Sequence, residues 1–152
     1  MHLTTYLRML HRGEETLGVS YRHVADGHPA ESDVYYTCRH FAEDAARHAA
    51  ALDPVLLRYE RVAEPEPDRL HPPGVTSARN GPIGLLRDLQ DLYQLANFVD
   101  STWAMVGQAG SGARDHDLID VANRCKRELS AQLAWIRMRM KSSAPQTLLV
   151  AD

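Results

Sequence analysis

Leucine and other apolar residues recur along this chain at alternating steps of three and four in four separate stretches, and the period-two pattern of a strand is almost missing. A helix turns once in about 3.6 residues, so such positions share one face. The pattern predicts an all-α chain of four helices. The first, about 4–25, carries Leu3, Leu7, Leu10, Glu14, Leu17, Tyr21 and Val24, and closes at Gly27, a left-handed-capable residue, before Pro29. The second, about 32–62, starts with Ser32 as N-cap and carries Val34, Cys38, Phe41, Ala45, His48 and Leu52, with Pro54 kinking or restarting it. The third, about 82–107, opens at Pro82 and bears Leu85, Leu89, Leu92, Ala96, Val99, Trp103 and Val106 until "GQAGSG" ends it. The fourth, about 115–141, has Asp115 as its cap and Leu118, Ala122, Cys125, Leu129, Leu133, Ile136 and Met140 as its stripe. The tail 142–152 is polar, then apolar, and is either frayed or laid along a neighbour.

A chain of 152 residues is one domain's worth, long enough to bury a core. A net charge of −3 gives no reason to expect a nucleic-acid partner. Cys38 and Cys125 are too few and too far apart for a disulfide framework or a zinc spacing. No apolar run approaches the roughly 20 residues of a membrane span, and neither end reads as a signal peptide. The expectation is a cytoplasmic protein with no membrane or nucleic-acid partner.

Loop lengths add topology. Helices one and two are joined by a short loop, as are helices three and four, which predicts two antiparallel hairpins. The connector 63–81, rich in proline and turn formers, is long enough at about 3.3 Å per residue to run the length of the bundle. Two hairpins joined by one long crossover resemble the ferritin-like arrangement. That resemblance is architectural and covers nearly the whole chain. It implies a possible two-metal centre of iron or manganese, with one Glu from each of two helices and a Glu-x-x-His pair from each of the others.

The ligand pattern departs from that set. Helix two has His40-x-x-Glu43, the reversed order, and helix four has Glu128 with Ala131 where the histidine would stand. Helix three offers Asp88, Asp91 and Asp100 but no Glu. On a helical wheel Glu14 sits within the apolar stripe of helix one and His48 points straight inward. Asp44 and His40 lie on the border, Glu43 faces solvent, and Glu128 lies on the flank of helix four, about 100° from its stripe. Glu14 and Asp44 are each 15 residues from Pro29, so a hairpin brings them together with His48 about one turn further on.

Three readings of Glu14, Asp44, His48 and Glu128 stay open. One is a buried ion pair that registers the helices, because a buried carboxylate needs a partner. Another is a mononuclear or degenerate metal site for iron, manganese or zinc. The third is acid–base chemistry at His48, although no nucleophile or oxyanion donor stands out. The cysteines read as small core residues, and "RMRMK" reads as cations that complement a helix C-terminus. Leu86, Tyr93, Leu95 and Phe98 make helix three apolar beyond one stripe, so it needs cover from the crossover or from a dimer interface; the expectation is a homodimer through that helix. The functional expectation is a non-catalytic interaction or small-ligand-binding subunit with a buried Glu/His cluster; the alternative is a ferritin-like metal protein for iron or manganese oxidation or storage.

Overall fold

The computed structural model describes residues 2–60 and 73–150. Among them the chain forms four helices and no strand: α1 Leu3–Gly27, α2 Ser32–Tyr59, α3 Gly81–Ala113 and α4 His116–Leu149. The first part of the predicted connector, and residues 61 and 62 of the predicted second helix, lie outside the described residues. The apolar stripes read from the sequence meet in one core, with Leu7, Leu10, Leu17, Leu52, Leu89, Leu92, Leu118, Leu129 and Ile136 fully enclosed.

Contacts at the helix ends fix the arrangement. Thr4 Oγ1, near the start of α1, donates to the Tyr59 carbonyl at the end of α2. His28, just past α1, meets Asp88 near the start of α3 at 2.8 Å. Tyr59 and Gly81 therefore lie at opposite ends of the bundle. The described end of the connector runs beside α1: the Val75 N–H donates to Ser20 Oγ, and Val75 is buried. There Asp88 Oδ2 also accepts from the Arg79 backbone N–H, and Asp88 Oδ1 from the Arg79 guanidinium at 2.7 Å.

The seam between α2 and α4 is largely polar. At one end Arg58 and the Tyr59 hydroxyl both donate to Asp115, whose other oxygen caps α4 by accepting from the Leu118 N–H. At the other end Arg139 donates to Glu31 and Asp33. The middle of this seam is the candidate site described below.

Several local expectations change. Gly27 is not left-handed; a Cβ there would collide with Ala78 Cβ, so the glycine makes room for the described end of the connector. Glu31, not Ser32, is the N-cap of α2, and no side chain caps it. Pro54 sits inside a continuous α2. "GQAGSG" does not end α3: Gly107 and Gly110 face Ala122 and Leu118 of α4 and permit close packing, while Arg114, at φ 56°, makes the left-handed cap. Helix α4 continues past Lys141 and through Pro145 to Leu149, with Thr147 buried. "RMRMK" is therefore mid-helix, and Arg139 ties α4 to the start of α2 instead of complementing a C-terminus. No described helix is long and apolar enough to cross a membrane.

Candidate functional site

Glu14 lies in the apolar stripe of α1 and has no exposed surface. An ionised carboxylate there must be matched by donors. Its Oε1 receives two: the Trp103 indole N–H from α3 at 2.6 Å, and His48 Nδ1 from α2 at 3.1 Å. Its Oε2 is buried and has no hydrogen-bond partner among the described residues.

His48, 2% exposed, spans the seam. Its second nitrogen, Nε2, lies 2.9 Å from Glu128 Oε2 on α4. Both ring nitrogens thus face carboxylate oxygens. A neutral imidazole has only one N–H and would turn a lone pair toward one of them, whereas the imidazolium donates to both. Burial pulls the His48 pKa down, but the hydrogen bond and charge of Glu14, and then those of Glu128, outweigh it and leave it raised. Burial would raise the Glu128 carboxyl, yet His48 and Arg47 hold it below its ordinary value.

A second branch lies alongside. Asp44, nearly buried, accepts from Arg47 on its own helix and from Gln132 Nε2 on α4 at 3.3 Å. Gln132 in turn accepts from the Tyr21 hydroxyl of α1 at 2.8 Å. Arg47 joins the two branches, since it also reaches Glu128 at 3.2 Å. Tyr21 is pushed well above its ordinary pKa, by burial first and then by nearby negative charge, so it remains a hydroxyl donor.

Of the four residues singled out in the sequence, Glu14, His48 and Glu128 form one chain of contacts. Asp44 is a neighbour bonded to other side chains. Glu128 sits on the flank of α4 as predicted, and the polar α2–α4 seam turns that flank toward His48. Trp103, Tyr21 and Gln132 were not read as members of the network. Gln132 carried a signal, being four residues from Glu128 and so on the same helix face. Among the described residues, no group of three or more His, Cys, Asp or Glu side chains is placed to hold a metal ion. The geometry explains this locally, because Glu14 and Glu128 meet His48 at different ring nitrogens rather than at a shared point.

Chemically, the cluster can hold a proton on the buried His48 ring between an enclosed carboxylate, Glu14, and a half-buried one, Glu128. Neither cysteine supplies a nucleophile: burial drives Cys38 and Cys125 up to about 12, so both remain thiols at neutral pH.

Beside the cluster a groove of about 700 Å³ runs between α1 and α2, with Glu14 in its wall. Apart from Asp53, its α2 side is Ala42, Ala46, Ala49 and Ala50, too short to fill the space. His11 stands in this groove 3.0 Å from Asp53 and 3.6 Å from Glu15.

No protein-family model, curated protein or solved structure matches this chain.

Proposed function

We propose that this chain is a ferritin-like bundle, two antiparallel hairpins joined by a long crossover, acting as a non-catalytic small-ligand-binding subunit. The end contacts Thr4–Tyr59 and His28–Asp88 support that topology. The observation that carries the functional reading is the α1–α2 groove, which shares Glu14 with the buried cluster. In this reading the cluster holds a proton and registers the four helices, and the groove takes the ligand.

The alternative is a metal centre for iron or manganese on Glu14, Asp44, His48 and Glu128. One observation favours it: Glu14 Oε2 is a buried carboxylate oxygen with no partner among the described residues. The contacts of the other oxygens oppose it, because each is already matched by a donor of the protein.

Untagged protein purified without chelators separates the two. Elemental analysis is expected to find iron, manganese and zinc far below one ion per chain. A screen of small molecules is expected to find binders that are lost in Ala46→Leu, which fills the groove. Near-stoichiometric metal that disappears in Glu14→Ala and His48→Ala would establish the alternative.

A homodimer through α3 belongs to the same proposal. Leu95 is buried within the chain, Leu86, Tyr93 and Phe98 are half-buried, and Ile83 is 60% exposed. Ile83 and Leu86 line an apolar groove with Met140 and Leu148 of α4. Light scattering is expected to give twice the chain mass; a monomer at working concentration would remove this part.

A further inference from the structure

Resting on the ligand-binding reading, we propose that the α1–α2 groove binds a small organic monocation through a primary ammonium group. The groove is built by two helical stripes that face each other. On α1 His11, Glu15, Gly18 and Arg22 follow one another at steps of four, three and four, and on α2 so do Ala42, Ala46, Ala49 and Asp53. At Gly18 the helices already stand in contact: a Cβ there would meet Ala45 Cβ at 3.4 Å. The short alanines then leave an apolar floor wide enough for a slim hydrocarbon body.

The charges select the sign of the head group. Glu15 and Asp53 stand at one end of the groove, joined across it by His11. Exposed carboxylates alone bind cations weakly, but the wall adds a buried one. Glu14 is fully enclosed, lines the same groove, and its Oε2 has no hydrogen-bond partner among the described residues. Low-dielectric walls focus such a field into the cleft. Arg22 stands about 10 Å further along α1 than Glu15, at ~1.5 Å per residue, and repels a second cation. The complementary ligand therefore has one ammonium at the acidic end and an uncharged or anionic tail. A divalent metal is a poorer match, because no three metal-ligating side chains among the described residues converge.

Amide NMR titration of the intact protein tests this, with n-pentylammonium as probe, sodium pentanoate as the isosteric anion, and the corresponding α,ω-diamine. Pentylammonium is expected to give saturable shifts at Gly18, Ala46 and Ala50. Its affinity is expected to fall about tenfold or more in Glu15→Gln/Asp53→Asn, and binding to vanish in Ala46→Leu. Both variants change exposed positions, and their amide spectra report whether the fold is kept. Pentanoate is expected to leave the spectrum unchanged, and the diamine to bind more weakly. Absence of saturable shifts with pentylammonium, equal affinity in the double variant, or tighter diamine binding would overturn the proposal. Pentanoate binding that is lost in Ala46→Leu would overturn the ammonium assignment and keep the ligand-binding reading. A folded protein that binds none of these probes and no member of a wider screen would remove both.

Discussion

The Trp103 indole N–H donates to Glu14 Oε1 at 2.6 Å, and neither residue has any exposed surface. This bond ties the α1 carboxylate to α3, while His48 ties the same oxygen to α2 and, through Glu128, to α4. All four helices thus meet on one buried carboxyl group and its histidine partner. The largest residue of the core is at the same time a polar partner, and its ring meets His48 in a T-shaped arrangement with centroids 6.5 Å apart.

Trp103→Phe keeps most of the ring and removes the donor. Losing a hydrogen bond to a buried charged acceptor costs about 2–3 kcal/mol. Urea unfolding is expected to show a lower midpoint with unchanged slope. A midpoint within error of the parent would mean that the bond adds nothing.

Stability is expected to depend on pH from both sides. The folded His48 pKa is raised above its ordinary 6.5, so its contribution is complete below that value and is lost as pH rises through the folded pKa. The folded Glu128 pKa is lowered from 4.5, so its contribution is complete above that value and is lost as pH falls through the folded pKa. Chemical denaturation is expected to give a plateau between about 4.5 and 6.5 for this pair, with a decline above 6.5 that is absent in His48→Gln. A decline of the same size in that variant would place its origin elsewhere.

Asp88 should anchor the described end of the connector to α1 and α3. It is fully buried and accepts from His28, from the Arg79 backbone N–H and from the Arg79 side chain. Asp88→Ala leaves His28 and the Arg79 N–H without their acceptor, an expected loss of about 3 kcal/mol. Asp88→Asn retains acceptor capacity and is expected to lose less. Hydrogen exchange is expected to speed up first at Val75 and Arg79; uniform acceleration across the bundle would argue against a local anchor.

Two glycines in helices should respond in opposite directions. At Gly18 a Cβ meets Ala45 Cβ at 3.4 Å, an ordinary contact, so Gly18→Ala is expected to stabilise by about 0.5–1 kcal/mol. At Gly84 a Cβ would lie 2.9 Å from the Arg79 backbone carbon, so Gly84→Ala is expected to destabilise despite its better helix propensity. Thermal unfolding of the two variants reads the signs directly, and a reversed pair would contradict the packing described.

The fold was legible because apolar periodicity is a local property. Each of the four stripes maps onto a helix, and the stripe residues fill the core. The helix ends were less legible because they are decided by tertiary contacts. Gly107 and Gly110 read as terminators, yet they serve close packing against Ala122 and Leu118; Gly27 does end α1, but it makes room for Ala78 instead of turning left-handed. Equal spacing about Pro29 placed Asp44 opposite Glu14 with His48 a turn further on. It brought the right neighbourhood together, but the bond to Glu14 is made by His48, while Asp44 is held by Arg47 and Gln132. Completion of the cluster by Glu128 was harder to read, because a helical wheel centred on apolar residues hides a seam made of polar ones. Trp103 and Tyr21 looked like core side chains, and they are; sequence periodicity is silent on where their single polar atoms point. His28 with Asp88 was out of reach, because residues 60 apart in the chain meet only through tertiary packing that periodicity does not report.

The protonation of His48 is the most direct test of the cluster as a proton-holding device. In protein labelled with ¹⁵N-histidine, with His48 assigned by its loss in His48→Gln, both ring nitrogens are expected to show imidazolium shifts at pH 6.5, persisting above it. A neutral ring at that pH, or one nitrogen moved by a bound metal ion, would contradict the account.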